Sequence, residues 1–150
     1  MQKIFLALLL TVAMLSGCGS HQISVIPLSA DLEINKICIE NNPVVTIQEF
    51  LPVVQDAFIL NGIPHEVFNG NTAPEDCSAV ARYYALRSWD LKTYLRTAYV
   101  HIYINNNKVA GIDYYHPNNL NTDKYDSVKE KISPPMNEML RAHSWKKKSE

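Results

Sequence analysis

Apolar and polar positions alternate along INKICIE (34–40), with Ile34, Lys36 and Cys38 facing one way and Asn35, Ile37 and Ile39 the other, which predicts a strand. NNP then breaks the run. From VTIQEF onward the period changes: Ile47, Leu51, Val54 and Phe58 recur at helical spacing, and Asn61-Gly62 is a good stop. Thr46 and Glu49 have capping-box spacing, and Val45 and Phe50 stand where a hydrophobic staple would put them. Pro52 is discordant, and either kinks the first turns or marks where regular helix begins. HEVFNG (65–70) predicts a short, edge-type strand. CSAVARYYALRS (77–88) predicts a longer one, with Ala79, Ala81 and Ala85 on one face. TYLRTAYVHIYI (93–104) is the most regular, and KVAGIDYYH (108–116) is its partner across Asn105-Asn106-Asn107.

The register of that last hairpin follows from burial. A two-residue loop that sets Ile102 opposite Gly111 and His101 opposite Ile112 mixes the faces. A three-residue loop sets Ile102 opposite Ala110, Val100 opposite Ile112 and Ala98 opposite Tyr114. A slip of one residue inverts every side chain, so the three-residue loop is expected, with Asn107 in the left-handed position. Beyond it, Tyr125, Val128, Ile132, Met136, Met139 and Leu140 form a second helical stripe. Ser133-Pro134-Pro135 is expected to split it, with Ser133 capping a new segment. The order β-α-β-β-β-β-α implies an α+β domain, an antiparallel sheet of about five strands with two helices packed on one face.

Ahead of the domain, MQKIFLALLLTVAMLSGC reads as a signal segment. Lys3 gives the positive start and Ile4 to Leu15 the apolar core, too short for the roughly 20 residues of a bilayer-spanning helix. Ser16 and Gly17 stand directly before Cys18. Leu-Ser-Gly-Cys resembles the bacterial lipobox, and the resemblance implies cleavage before Cys18, diacylglycerol on its sulfur and acylation of the new amino group. Each buried CH₂ contributes roughly 0.8 kcal/mol, so several chains hold a protein on a membrane almost permanently. An ordinary secretory signal, or an uncleaved anchor, is the alternative. Gly19 in place of Asp favours, by resemblance to enterobacterial-type sorting, the outer over the inner membrane. Residues 1–17 are thus read as signal peptide, 18–32 as a lipidated tether and 33–143 as one domain. Residues 144–150, with Lys146, Lys147 and Lys148, are read as a frayed basic tail.

With Cys18 set aside, Cys38 and Cys77 remain. In an oxidising compartment an even pair reads as a disulfide, here closing a loop of about 40 residues and contributing about 4 kcal/mol on the chain-entropy model. Two buried thiols are the other reading. No C-x-x-C or H-x-x-H spacing accompanies them, so no metal and no cofactor is expected. With 14 Lys and Arg against 15 Asp and Glu, the near-neutral chain carries no footprint for nucleic acid.

On the side of the hairpin away from its apolar stripe, Thr97, Tyr99, His101 and Tyr103 line up beside Val109, Gly111, Asp113 and Tyr115. Tyrosine offers apolar area with a polar tip, so Tyr99, His101, Tyr103, Asp113 and Tyr115 form a candidate binding face. A solvated sheet face rich in good strand formers is the plainer alternative. His101 and Asp113 are diagonal neighbours within hydrogen-bond reach. No nucleophile, glycine-rich elbow or oxyanion loop accompanies them, and no catalytic residue is assigned. His116 points to the opposite face from Asp113 and cannot join the pair around a metal. His21, His65 and His143 are read as scattered surface residues. RSWD (87–90) falls between two strands. There Asp90 is expected to close an Asx-turn and Trp89 to cap the end of the core, an exposed anchoring Trp being the alternative.

KICIEN, VQDAF, YYALRSWDLKTYL and VAGIDYY, behind a lipobox, resemble a family of small proteobacterial lipoproteins of unknown function. That resemblance implies lipidation at Cys18 and exposure to the periplasm, and brings neither a catalytic residue nor a ligand. The expectation is a non-enzymatic accessory or adaptor subunit at the outer membrane. It would be held there by its N-terminal lipid and would bind an envelope protein through the Tyr/His face. A small-molecule or lipid-binding module with a pocket between helices and sheet is the alternative, and an envelope hydrolase a third.

Overall fold

Period-two alternation in the middle of the chain produces its longest strands, β4 (Ala79–Asp90) and β5 (Lys92–Ile104), with β6 (Asn107–Tyr115) returning beside them. The computed structural model describes residues 21–141 and 143; Cys18, the signal segment and the basic tail lie outside the described residues. Strands β1 (Gln22–Ile26), β2 (Ile37–Glu40) and β3 (His65–Phe68) complete a six-stranded sheet in the order β1-β6-β5-β4-β2-β3. Helices α1 (Phe50–Leu60) and α2 (Val128–Arg141) share one core with Ala79, Ala81, Ala85, Ala98, Val100, Ile102, Ala110 and Ile112. A short 3-10 turn, Thr122–Tyr125, precedes α2.

The α+β class and the two helices are as expected, but the sheet is mixed rather than antiparallel. β2 runs parallel to both β3 and β4, making β2–α1–β3 a crossover unit. Ile37 and Ile39 enter the core beneath the helices, while Cys38, on the opposite face, is buried where it bridges to Cys77. The sixth strand, β1, lies within the stretch read as a tether. Its side chains are mostly exposed and show no period, and backbone pairing holds it to β6, from Gln22 opposite Tyr115 to Ile26 opposite Gly111. Leu28 then enters the core, its N–H donating to the Met139 carbonyl at 2.8 Å.

In α1, Pro52 occupies the first turn, where a missing N–H has no intrahelical partner to lose, so regular helix begins there. Thr46 and Glu49 form no capping box. Glu49 is itself the N-cap, without a side-chain cap bond, and its carboxylate pairs with Arg87 instead. The stop is a Schellman arrangement: Ile63 N–H reaches the Phe58 carbonyl (2.9 Å), Gly62 N–H the Ile59 carbonyl (3.0 Å), and Gly62 takes φ 68°. Helix α2 is not split. Val128, Ile132, Pro135, Met136, Met139 and Leu140 form one buried stripe on both sides of the prolines. A break would tear that face in two, and its burial outweighs two missing hydrogen bonds. A capping box does start this helix. Ser127 N–H donates to Glu130 Oε2 (2.8 Å) and Glu130 N–H to Ser127 Oγ (3.2 Å).

β5 and β6 pair in the expected register, Ala98 opposite Tyr114, Val100 opposite Ile112 and Ile102 opposite Ala110. The route to it differs. The turn has two residues, Asn105 (φ 50°) and Asn106 (φ 63°), which pairs Ile104 with Asn107, and a bulge at Val109 restores the register. Asn107 is therefore in the strand, and its two predecessors supply the left-handed residues.

A disulfide joins Cys38 of β2 to Cys77, which precedes β4, across a separation of 39 residues. Replacing both cysteines by Ala should lower stability by about 2–5 kcal/mol, read as a lower urea midpoint. A midpoint equal to the parent's would show that the bridge does not stabilise the fold.

Candidate functional site

Because side chains alternate, the sheet face turned away from the helices receives the residues between the buried ones. These are Arg82 and Tyr84 from β4, Tyr99, His101 and Tyr103 from β5, and Gly111, Asp113 and Tyr115 from β6. Pairing sets Tyr99 opposite Asp113 and His101 opposite Gly111. His101 Nε2 lies 2.9 Å from Asp113 Oδ1, its ring stacks on Tyr99 at 4.5 Å, and its Nδ1 is 3.5 Å from the Tyr103 hydroxyl. Gly111 makes this possible, because a Cβ there would come within 2.7 Å of His101 Cδ2. The imidazole lies in space that only glycine leaves.

Around that ring, Tyr84 stacks on Tyr99 (5.8 Å), and Arg82 lies over Tyr103 (5.1 Å) while donating to Glu40 (2.8 Å). Tyr99, His101, Tyr103 and Asp113 are therefore brought together, and Tyr115 stands exposed on the same face, opposite Thr97. The sequence reading missed Arg82, Tyr84 and the role of Gly111. Arg82 and Tyr84 were findable, since they interleave with Ala81 and Ala85. The arrangement offers stacking surface, the Arg82 guanidinium, the Lys108 ammonium 4.0 Å from Asp113 Oδ2, and a held imidazole. Nε2 faces the Asp113 carboxylate and Nδ1 the Tyr103 hydroxyl, so both ring nitrogens are turned to partners on this face, which is a recognition geometry.

At one end of this face Ser78, Val80, Arg82, Tyr103, Asn105 and Asn106 line a cleft of about 210 Å³. Cys38, Cys77 and Glu66 have donor atoms within 4.8 Å of one another, but the disulfide takes both sulfurs, and Glu66 already pairs with Lys36 (2.9 Å).

His116 belongs to a second cluster, at the opposite end of β5 from that cleft. It is fully buried. Its Nδ1 donates to the Pro117 carbonyl (2.7 Å), its Nε2 lies 3.2 Å from Asp123, and its backbone N–H reaches the Arg96 carbonyl (2.8 Å). His21 approaches the same carboxylate at 3.3 Å and stacks on Tyr114 at 5.7 Å. Burial pushes the Asp123 carboxyl up, and the hydrogen bonds from His116 and His21 more than reverse this, holding it below its ordinary 3.8. Beside it, the buried Lys124 ammonium donates to Asp90 Oδ2 (2.5 Å) and the Asn119 carbonyl (2.7 Å), between the rings of Tyr94 and Tyr125. The Tyr125 hydroxyl donates to the Asp90 carbonyl (2.5 Å).

Three sequence expectations change here, for Asp90, for Trp89 and for the histidines read as surface residues. Asp90 spends its carboxylate on Lys124 rather than on an Asx-turn. Trp89 does not cap the core but faces solvent, because beyond the Leu86–Thr97 pair the β4–β5 hairpin has no described strand beside it. Tyr94 closes the core at that end. His143 is buried, its Nδ1 3.0 Å from the Ser29 carbonyl oxygen, and His21 and His65 are half-buried, the latter against Phe58 (5.6 Å).

No family model matches the chain, and no curated protein matches it. Among solved structures, a single-substitution variant of PelC from Paraburkholderia phytofirmans, a dodecamer, is similar in fold. The TM-score is 0.50 at 8% identity, over 81% of this chain and 93% of that one.

Gly111→Ala should lower stability by about 1–3 kcal/mol and shift the NMR signals of the His101 ring. Unshifted signals would show that the ring does not depend on that space. Asp123 has a depressed value, so its contribution is complete above 3.8 and is lost as pH falls through the lower folded value. Asp123→Asn should therefore remove about 1–3 kcal/mol at neutral pH and flatten the acid limb of Tm against pH. An acid limb as steep as the parent's would exclude Asp123 as its source.

Proposed function

We propose that this protein is a lipid-anchored, periplasm-facing adaptor at the outer membrane, without a reaction of its own, that docks an envelope protein on the open face of its sheet. The observation that carries this reading is the placement of His101, held by Asp113, Tyr99 and the space over Gly111 on a face that neither described helix covers. Side chains already ordered lose little freedom when a partner arrives, and tyrosine and arginine are the residues that dominate such contacts. The ligand-binding alternative calls for a pocket between helices and sheet; the cleft beside Arg82 and Tyr103 lies on the open face instead, and at about 210 Å³ is smaller than the roughly 300–1,000 Å³ of small-molecule sites. A hydrolase would need a nucleophile beside His101, and the hydroxyl within reach is the Tyr103 phenol. The anchoring and compartment rest on the Leu-Ser-Gly-Cys resemblance.

Photo-crosslinking in cells from residues placed at Tyr99, Tyr103 and Tyr115, followed by mass spectrometry, tests the docking face. A discrete adduct with an envelope protein is expected. Since the PelC variant is a dodecamer, an adduct between two copies of this chain would make self-assembly the docking event. Absence of any adduct from all three positions would return the face to solvent.

A further inference from the structure

Three large apolar side chains stand in solvent at one end of the sheet: Trp89 at 72%, Leu91 at 82% and Leu120 at 98% exposure. They are gathered rather than scattered. Trp89 and Leu91 flank Asp90 at the β4–β5 turn, and Leu120 follows Asn119. Asp90 and the Asn119 carbonyl accept from the same Lys124 ammonium, at 2.5 and 2.7 Å. Leu91 sits at the apex with φ 59°, a left-handed conformation that glycine or asparagine adopts easily and leucine does not. An exposed leucine in that backbone contributes nothing to folding, and glycine would serve the turn better. Its side chain is therefore useful to something outside the domain.

What lies nearest is the anchor. His21 is tied to Asp123, the neighbour of Lys124, and Cys18 precedes His21 by three residues, at most about 10 Å of chain. Lipid on Cys18 brings a bilayer surface to that distance. The tip suits such a surface. Trp favours the headgroup level, leucine the acyl boundary below it. The Asp90 charge is neutralised by Lys124, and the exposed Lys92 is available to lipid phosphate.

We propose that the hairpin tip Trp89–Leu91 and Leu120 insert into the headgroup layer of the bilayer beside lipidated Cys18, a second attachment that fixes the orientation of the domain. This rests on the anchoring reading for the nearness of the membrane. A lipid on a short tether leaves the domain free to swivel. A second contact at the same end stands β5 away from the bilayer and keeps the open face accessible to a partner.

Tryptophan fluorescence of the full chain tests it, with Trp145→Phe leaving Trp89 as the reporter of two native tryptophans. The protein is added to vesicles of phosphatidylethanolamine and phosphatidylglycerol, with or without lipid brominated near the top of one acyl chain. Trp89 emission should shift to the blue, lose its quenching by acrylamide and be quenched by the brominated lipid. Leu91→Ser combined with Leu120→Ser should weaken that quenching without altering the circular dichroism. Emission that stays red and open to acrylamide overturns the proposal. So does a blue shift without bromine quenching, as a protein cover over Trp89 would give. Mass spectrometry of the Cys18 peptide from the same sample reports the anchor independently. Acylated Cys18 with unquenched Trp89 sinks the tip and spares the anchor; quenched Trp89 with unmodified Cys18 does the reverse.

Discussion

A strand can show each residue to only one of two faces, and β5 imposes that constraint on the whole molecule. Ala98, Val100 and Ile102 face the core, so Tyr99, His101 and Tyr103 must face away from it. The small side chains of β4 and β5 share that core with α1 and α2, and both helices lie on the same side, α2 packing along β6 and β1. Once that side is filled, the other is left to polar and aromatic chemistry. The face that would meet a partner is therefore a consequence of the face that folds. A residue inserted into β5 would exchange the two, which is why the bulge at Val109 matters: it absorbs the mismatch of a two-residue turn before the paired rows begin.

The tether end is governed by a different interaction, the burial of a charge. Removing the Lys124 ammonium from water is unfavourable unless its donors are met, and here a carboxylate, a carbonyl and two aromatic faces meet them. All but Tyr125, which shares its turn, come from elsewhere in the chain: Asp90 and Tyr94 from the β4–β5 hairpin and Asn119 from the loop after β6. Asp123, one residue away, adds the start of β1 through His21 and the end of β6 through His116. One 3-10 turn thus fastens the two chain regions that have no apolar pattern of their own.

This explains what the sequence disclosed and what it did not. Strands β4, β5 and β6, the register of the β5–β6 hairpin, both helices and the His101–Asp113 pair were legible because each rests on periodicity, a strong local signal. β1 was not, since an edge strand held by backbone hydrogen bonds leaves no mark on its side chains. The parallel placement of β2 was half visible in the unbroken apolar run Ile37, Cys38, Ile39, which departs from alternation. The cap of α2, Ser127 with Glu130, went unread although it has the spacing of Thr46 and Glu49, which form no such bond because Arg87 claims the Glu49 carboxylate. Spacing proposes a cap, and competition for the carboxylate decides it. The Lys124 and Asp123 clusters join residues far apart in the chain and had no local signature.

The two ends of the sheet are thus secured by unlike means. At the far end a covalent bridge ties β2 to the start of β4, and its hold is indifferent to charge. At the tether end the fastening depends on the ionised Asp123 carboxylate, which two histidines hold below its ordinary value. Acid withdraws that contribution as the carboxylate is protonated, while the disulfide continues to restrict the chain. Protonation of Asp123 thus weakens the attachment of the start of β1 and the end of β6 without touching the bridge, and the aromatic face lies between the two.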